Sequence, residues 1–470
     1  MSQVRILSSR SQKLSESASM ARDYDLVIIG GTKAGLQAAI AAVRQNARVA
    51  LVAPLPFAAE SAWANQALGK FTQDYDQTSW QADHHLELKA RRAQAAQWIS
   101  AQVASLKAEY APAYLTSLGI DLITSFGQFQ PQPKLHFFAA GRMLRSQAYL
   151  IASDRPEAGI LGLSPGNYLT PDTLWPHLQK RLQTDASKWL VVSDQPIGIE
   201  LAQALTRLGE QVIIVIAGNS LLPQEDPQTV FWLQTQLEAA GISILTQTTL
   251  QAAKPAGEGW LVFLNSAQKP LHVDQILVCQ SGNGADVLNL DSIWVRYDQQ
   301  RVWVNDRLQT SQPQIYACGD LLGGYTVSQI TDQEASLAVY NALHRSKCRI
   351  DYRCLAWSLQ TKPVWARVGM SETQARATYG ADSVEQANLT FAQRLLAGES
   401  PELCQLVVHR NGLILGATIL SPLAMELIQV VRLFLQQRLK VSALAKLATG
   451  SANSCEIVYQ TAAKILSRSR

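Results

Sequence analysis

The stretch Asp25–Ala39, DLVIIGGTKAGLQAA, runs from a short apolar segment through a glycine turn into an alanine-rich helix start. A fully apolar strand that meets glycine and then a helix is the opening of a βαβ nucleotide-binding unit. In the pattern G-x-G-x-x-G the three positions fall on Gly30, Thr32 and Gly35, so a β-branched side chain stands where backbone should approach a pyrophosphate. The spacing predicts a strand over Leu26–Ile29, a helix from Gly35 onward and a second parallel strand over Ala47–Ala53. An acid normally ends that second strand and holds the adenosine ribose; here the place is taken by Ala53 or Pro54.

A second such unit runs from Ser187 to Gly218, SKWLVVSDQPIGIELAQALTRLGEQVIIVIAG. Its fingerprint positions are Ser193, Gln195 and Gly198, which leaves one glycine, the one that allows close helix packing. The next strand ends in Ile216 and Ala217, with neither the acid that selects NAD nor an arginine for a 2′-phosphate. NAD(P) is therefore not expected to bind, although Asp194 and Gln195 add polar groups that leave room for another ligand.

Bulk properties narrow the class. A chain of 470 residues exceeds one core and suggests two to four domains. The net charge of +4 is small and its charges are interspersed, which speaks against nucleic-acid and membrane-surface binding. No apolar run reaches roughly 18 residues, and the N-terminus has no secretory apolar core, so the expected location is cytoplasmic. The six cysteines have no metal-ligand spacing and fit reduced thiols; no metal site is expected. Residues 1–22, rich in Ser and Arg, read as a disordered tail, a targeting segment or the result of a start misassigned ahead of Met20.

Farther along, QTSQPQIYACGDLLGG, Gln309–Gly324, resembles the second flavin motif of the pyridine nucleotide-disulfide oxidoreductases, the family of dihydrolipoamide dehydrogenase, glutathione reductase and mercuric reductase. The resemblance implies FAD as cofactor, with Asp320, after Gly319, on the ribityl chain. Gly30, Gly31, Thr32, Lys33 and Gly35 would then form the rest of the cofactor site. IDYRCLAWSLQTKPVWARVGMSETQAR (Ile350–Arg376) and LILGATILSPLAMELIQVVRLFL (Leu413–Leu435) are similar to the family's dimer domain. The implied α/β fold has two Rossmann-like three-layer nucleotide-binding domains and a C-terminal α+β dimerisation domain. The FAD domain occupies 23–160 and 286–347, the NAD(P)-type domain is inserted at 161–285, and 348–470 makes a homodimer.

Catalysis is where the chain departs from that family. The resemblance places Ser61 and Gln66 at the two redox cysteines of C-x4-C and Lys70 at the lysine that follows. A serine hydroxyl has no accessible two-electron couple, so no dithiol relay forms there. The family's acid-base H-P-x-x-x-E reads SANSCE, with Ser451 for the His and Glu456 for the Glu; the neighbouring Cys455 reads as an inert thiol. Lys70 and Glu200 match an ion pair beside the flavin, either a tuned flavin edge or a pair kept for structure. His84 and His85 read as a solvated face rather than ligands, Cys348 and Cys354 as incidental, and Arg44 and Arg48 as charges at the first helix's C-terminal end. Two functions stay open: a flavoprotein oxidoreductase that does not reduce disulfides, and a non-catalytic dimeric binding or regulatory protein whose cofactor sites have decayed.

Overall fold

The computed structural model describes residues 23–74, 84–154, 163–164, 166–181, 186–193, 195–267, 269–280, 288–299, 301–345, 347–391, 402–448 and 455–468. The tail at 1–22, Asp194 and Ser451 lie outside the described residues, as do the side chains of His84 and His85.

The chain enters through β1 (Tyr24–Ile29), α1 (Lys33–Val43) and β2 (Val49–Val52). Two helices, α2 (Ala59–Asp74) and α3 (His84–Glu109), precede strand β3 (Ser146–Ile151) and helix α4 (Pro171–Arg181). A five-stranded parallel sheet has the order Ile315–Ala317, β3, β1, β2, Ile120–Ile123. Leu26, Val27 and Ile28 are all fully buried. Strands covered on both faces read as continuous apolar runs rather than alternating ones, and this run is legible for that reason. One face packs on α1 and the helix Ser328–His344 through Leu36, Ala39 and Ala338. The other packs on an antiparallel layer through Phe129 and Phe137, whose rings meet edge to face 4.9 Å apart.

The second unit repeats these layers. Its four-stranded parallel sheet contains β4 (Lys188–Ser193), is followed by α5 (Pro196–Arg207), and has β5 (Gln275–Cys279) at one edge. A three-stranded antiparallel layer covers the face opposite the helix. The C-terminal region is a five-stranded antiparallel sheet backed by the helices Ala424–Gln436 and Glu456–Arg468 around Leu406, Ile419, Ile428 and Val458.

Two buried ion pairs join these parts. Arg92 of α3 reaches Glu210 at 2.9 Å and donates to the Leu208 carbonyl at 2.8 Å. Arg367 of the C-terminal sheet grips both carboxylate oxygens of Glu225 at 2.6 Å. Arg48 differs from its expected role. It turns away from the helix end and pairs with Asp25 at 3.0 Å, because the carboxylate at the start of β1 lies beside the start of β2. Among the described residues no helix is long and apolar enough to cross a membrane.

Candidate functional site

Open α/β sheets bind ligands outside the carboxyl ends of their strands. At that place β1 ends in Gly30, with φ of +126°; a Cβ there would lie 2.3 Å from the Ala152 carbonyl oxygen that follows β3. A Cβ on Gly35 would lie 2.2 Å from the Gly30 oxygen. Backbone packing alone therefore demands both glycines.

Thr32 has another task. It caps α1, which starts at Lys33, two residues earlier than the alanine-rich pattern predicts. Its hydroxyl accepts from the Gly35 N–H at 3.1 Å and donates to the Ala152 carbonyl at 2.6 Å. An N-cap residue satisfies one of the helix's orphan donors in this way. The Lys33 ammonium sits 2.9 Å from Asp332, across on the helix Ser328–His344. The hydroxyl proton and the lysine charge are thus both engaged within the protein. What α1 still presents are the backbone N–H groups of Lys33 and Ala34, a site that suits an anion.

Facing them is the turn Gly319–Leu322. The Gly319 N–H donates to Glu334 at 2.8 Å, and the second Glu334 oxygen accepts from Tyr352 at 2.7 Å. Glu334 is buried, and this raises its pKa. It anchors the turn from behind, and the Asp320 carboxylate beyond it accepts from the Thr326 hydroxyl.

Between α1 and this turn lies a cleft of ≈ 320 Å³. Its lining brings together Thr32, Lys33 and Asp320 with residues that sequence reading missed: Asn65, Asp154, Asp172 and Asp332. Asp154 is exposed to water at the cleft, with a dense surround of protein atoms. Burial, then Asp320, then Asp172 push its pKa up to about 7. Asp172 is also raised, chiefly by burial. Asn65 is 7 % exposed; its amide donates to the Pro171 carbonyl at 2.9 Å, while its amide oxygen has no partner among the described residues. The signal that could have found Asp154 is its place just past the carboxyl end of a buried strand.

One of the positions that the resemblance matches to the family's redox residues, Gln66, lies along the same cleft. On α2, Ala62, Asn65, Gln66 and Gly69 line it at helical spacing. Ser61 donates to the Asp172 carbonyl at 3.3 Å. Lys70 is exposed, and among the described residues no ion pair joins it to Glu200. The expected Lys70–Glu200 pair is therefore not formed. Glu200 instead accepts from the Gln360 N–H at 2.7 Å, and burial raises its pKa to about 7. Glu456 is buried and accepts from Gln460 at 2.9 Å. No disulfide joins any of the six cysteines among the described residues. Burial, with Glu334 and Asp332 nearby, raises the Cys318 thiol well above its usual range, so it is no ready thiolate.

The second turn is closed more tightly. The Ser193 hydroxyl donates to the Gln195 carbonyl at 2.8 Å and accepts from the Gln195 N–H at 3.1 Å. It fills the place where a Cβ on Gly198 would come to 2.2 Å. Pro196 begins α5 without an N–H, and the Gln195 side chain accepts from the Thr326 N–H at 3.1 Å.

Comparison with known proteins agrees with this architecture. Residues 24–340 match the pyridine nucleotide-disulphide oxidoreductase family and residues 355–450 its dimerisation domain. A mercuric reductase of Staphylococcus aureus is 26% identical over 429 residues, covering 88% of this chain and 77% of that protein. A dihydrolipoyl dehydrogenase of Thermus scotoductus is 25% identical over 472 residues, covering 95% of this chain and 100% of that protein. Among solved structures, the HOCl-induced flavoprotein disulfide reductase RclA from Escherichia coli superposes with a TM-score of 0.77 at 21% identity, covering 94% of this chain and 99% of that one. LpdA from Mycobacterium tuberculosis gives 0.75 at 20% identity, with 94% and 99% covered. Two glycine-turn sheets in three layers, a C-terminal antiparallel sheet and family matches across both regions lead to one assignment: the chain belongs to the pyridine nucleotide-disulphide oxidoreductase family.

Proposed function

We propose that this chain is an FAD-binding flavoprotein that does not reduce disulfides. The observation that carries the reading is the pairing, in one cleft, of the bare N–H groups at the start of α1 with the Asp320 carboxylate opposite. The residues fit the cofactor: the Lys33 and Ala34 N–H groups suit its pyrophosphate, and Asp320 suits a ribityl hydroxyl. Bound there, the flavin would supply two-electron chemistry. The chain's own contribution is positional. Glu200, raised to about 7 by burial, exchanges a proton around neutral pH, while the Asn65 amide oxygen accepts a donor from whatever fills the cleft.

Disulfide reduction lacks its parts. Ser61 and Gln66 carry no thiol, and Ser451 stands where the resemblance puts the acid-base group. Ser193, Gln195 and Pro196 further support a chain that takes electrons from a source other than NADH or NADPH. Exposed Leu423, Leu433, Leu439 and Leu447 favour a homodimer through the C-terminal domain. The purified protein tests the reading by its absorbance near about 450 nm, the oxidised-flavin band. A colourless preparation that takes up no added FAD would sink it. It would leave the second reading, a non-catalytic dimeric binding protein, which the neutralised Lys33 favours.

A further inference from the structure

The cleft is unusual in its charge. Lys33 is the one cation lining it among the described residues, and Asp332 already neutralises that lysine. Three further aspartates remain: Asp154 after β3, Asp172 on the first turn of α4, and Asp320 in the turn opposite. Glu200 on α5 lines the same space, and the remaining titratable groups there are the thiols of Cys279 and Cys318. Asp154 is held where it matters most. The segment from Ala152 to Asp154 lies directly on the glycine turn, since a Cβ on Gly30 would come to 2.3 Å from the Ala152 oxygen and 2.6 Å from the Ser153 nitrogen. The Thr32 hydroxyl, bonded to the Ala152 carbonyl at 2.6 Å, ties that segment to the start of α1. A pyrophosphate on the α1 N–H groups would therefore sit beside the Asp154 carboxylate. The buried, unpartnered Asn65 amide oxygen points independently to a ligand that brings hydrogen-bond donors, as the hydroxyls of a dinucleotide do.

We propose that Asp154 gates this cleft: a pyrophosphate-bearing dinucleotide enters together with a proton that neutralises the Asp154 carboxylate. The proposal rests on the flavoprotein reading and adds a specificity determinant to it. Like charges in one site cannot all stay ionised; Glu200 is raised as well, but by burial, whereas Asp154 is raised by burial and by Asp320 and lies on the segment packed against the glycine turn, where the pyrophosphate arrives. The sign follows. A carboxyl titrating near 7 in the free cleft is raised further by an adjacent dianion, so binding takes up a proton above that pH. Affinity is then highest on the acid side and falls as the pH rises.

The test is an FAD titration of the full chain, followed by flavin fluorescence, at constant ionic strength. Between about pH 6 and about pH 9 the dissociation constant should rise at least about tenfold, a figure reduced from the one-proton limit because water reaches the carboxyl. An indicator in weak buffer should record proton uptake on mixing at the alkaline end. Asp154→Asn should bind FAD with a flattened pH dependence and without that uptake. Tight FAD binding by the unmodified chain that is independent of pH, with no proton taken up, overturns the gate and leaves the flavoprotein reading standing. No FAD binding at any pH, by either the unmodified chain or Asp154→Asn, overturns both. The proton count uses the unmodified chain, so the proposal stays testable even where the variant fails to fold.

Discussion

Replacing Asp332 with Asn should move stability and cofactor affinity in opposite directions. In the structure Lys33 and Asp332 are 2.9 Å apart, with side chains 25% and 32% exposed. A pair so open to water contributes about 0.2–1 kcal/mol, so the variant should lose no more than that, a few degrees in thermal midpoint. The same change releases the ammonium at the start of α1, next to the N–H groups of Lys33 and Ala34. A charge-assisted bond to an anion yields about 1.5–3 kcal/mol when well formed. Discounting for exposure leaves about 1 kcal/mol, or roughly a fivefold tighter dissociation constant for FAD. Paired measurements of FAD fluorescence titration and thermal unfolding without ligand would check both signs. An unchanged or weaker affinity, with the small stability loss observed, would refute the idea that Asp332 withholds a cation from the cleft.

Two further substitutions separate packing from ligand binding. Arg92→Met leaves the Glu210 carboxylate buried with the Ser187 and Trp189 N–H groups as its remaining partners, at a cost of about 3–5 kcal/mol measured by chemical denaturation. Burial already holds the Glu210 pKa above its unfolded value, and losing Arg92 raises it more. The penalty should therefore be largest at alkaline pH and shrink as the pH falls; a penalty that grows on acidification would contradict this assignment. Asp320→Ala removes an acceptor whose partners include the exposed Thr326 hydroxyl. FAD affinity should fall about tenfold to a hundredfold with little change in thermal midpoint. A large stability loss with unaltered affinity would reassign Asp320 to a structural role.

Much of the fold was legible because its central strands are covered on both faces. LVII at 26–29 and the run at the start of the second unit read as continuous apolar segments, and each is followed by a turn and a helix. The helix starts two residues before the alanine-rich pattern places it, because a threonine at the fingerprint's second glycine position is equally an N-cap. The cleft was far less legible. Asp154, Asp172 and Asn65 come from three separate segments, and no local spacing brings them together. The partner of Lys33 lies 299 residues away. Sequence spacing assigns Lys70 to the flavin edge only through the resemblance, and spacing does not fix which way a helix is turned. The cleft-facing positions of α2 end at Gly69, and Lys70 comes one residue, about 100° of helix, beyond it.

The three glycines that remain of the two fingerprints can be sorted by physical cause. Gly30, Gly35 and Gly198 are each required by a contact of 2.2 or 2.3 Å that any Cβ would make with atoms of the chain itself. Their presence follows from folding and says nothing about a ligand. Position 32, where the fingerprint leaves space for a pyrophosphate, holds Thr32, and the matching place in the second unit holds Gln195; both are now engaged in bonds within the chain. Asp320 behaves differently. Glu334 anchors the turn through the Gly319 N–H, and the Asp320 carboxylate, which accepts from the exposed Thr326 hydroxyl, lines the cleft beyond it. A carboxylate that lines the cleft opposite the start of α1 is the feature on which the ligand reading of the first site rests. In the described part of the second turn, Ser193 closes the loop and Pro196 removes a donor from the helix.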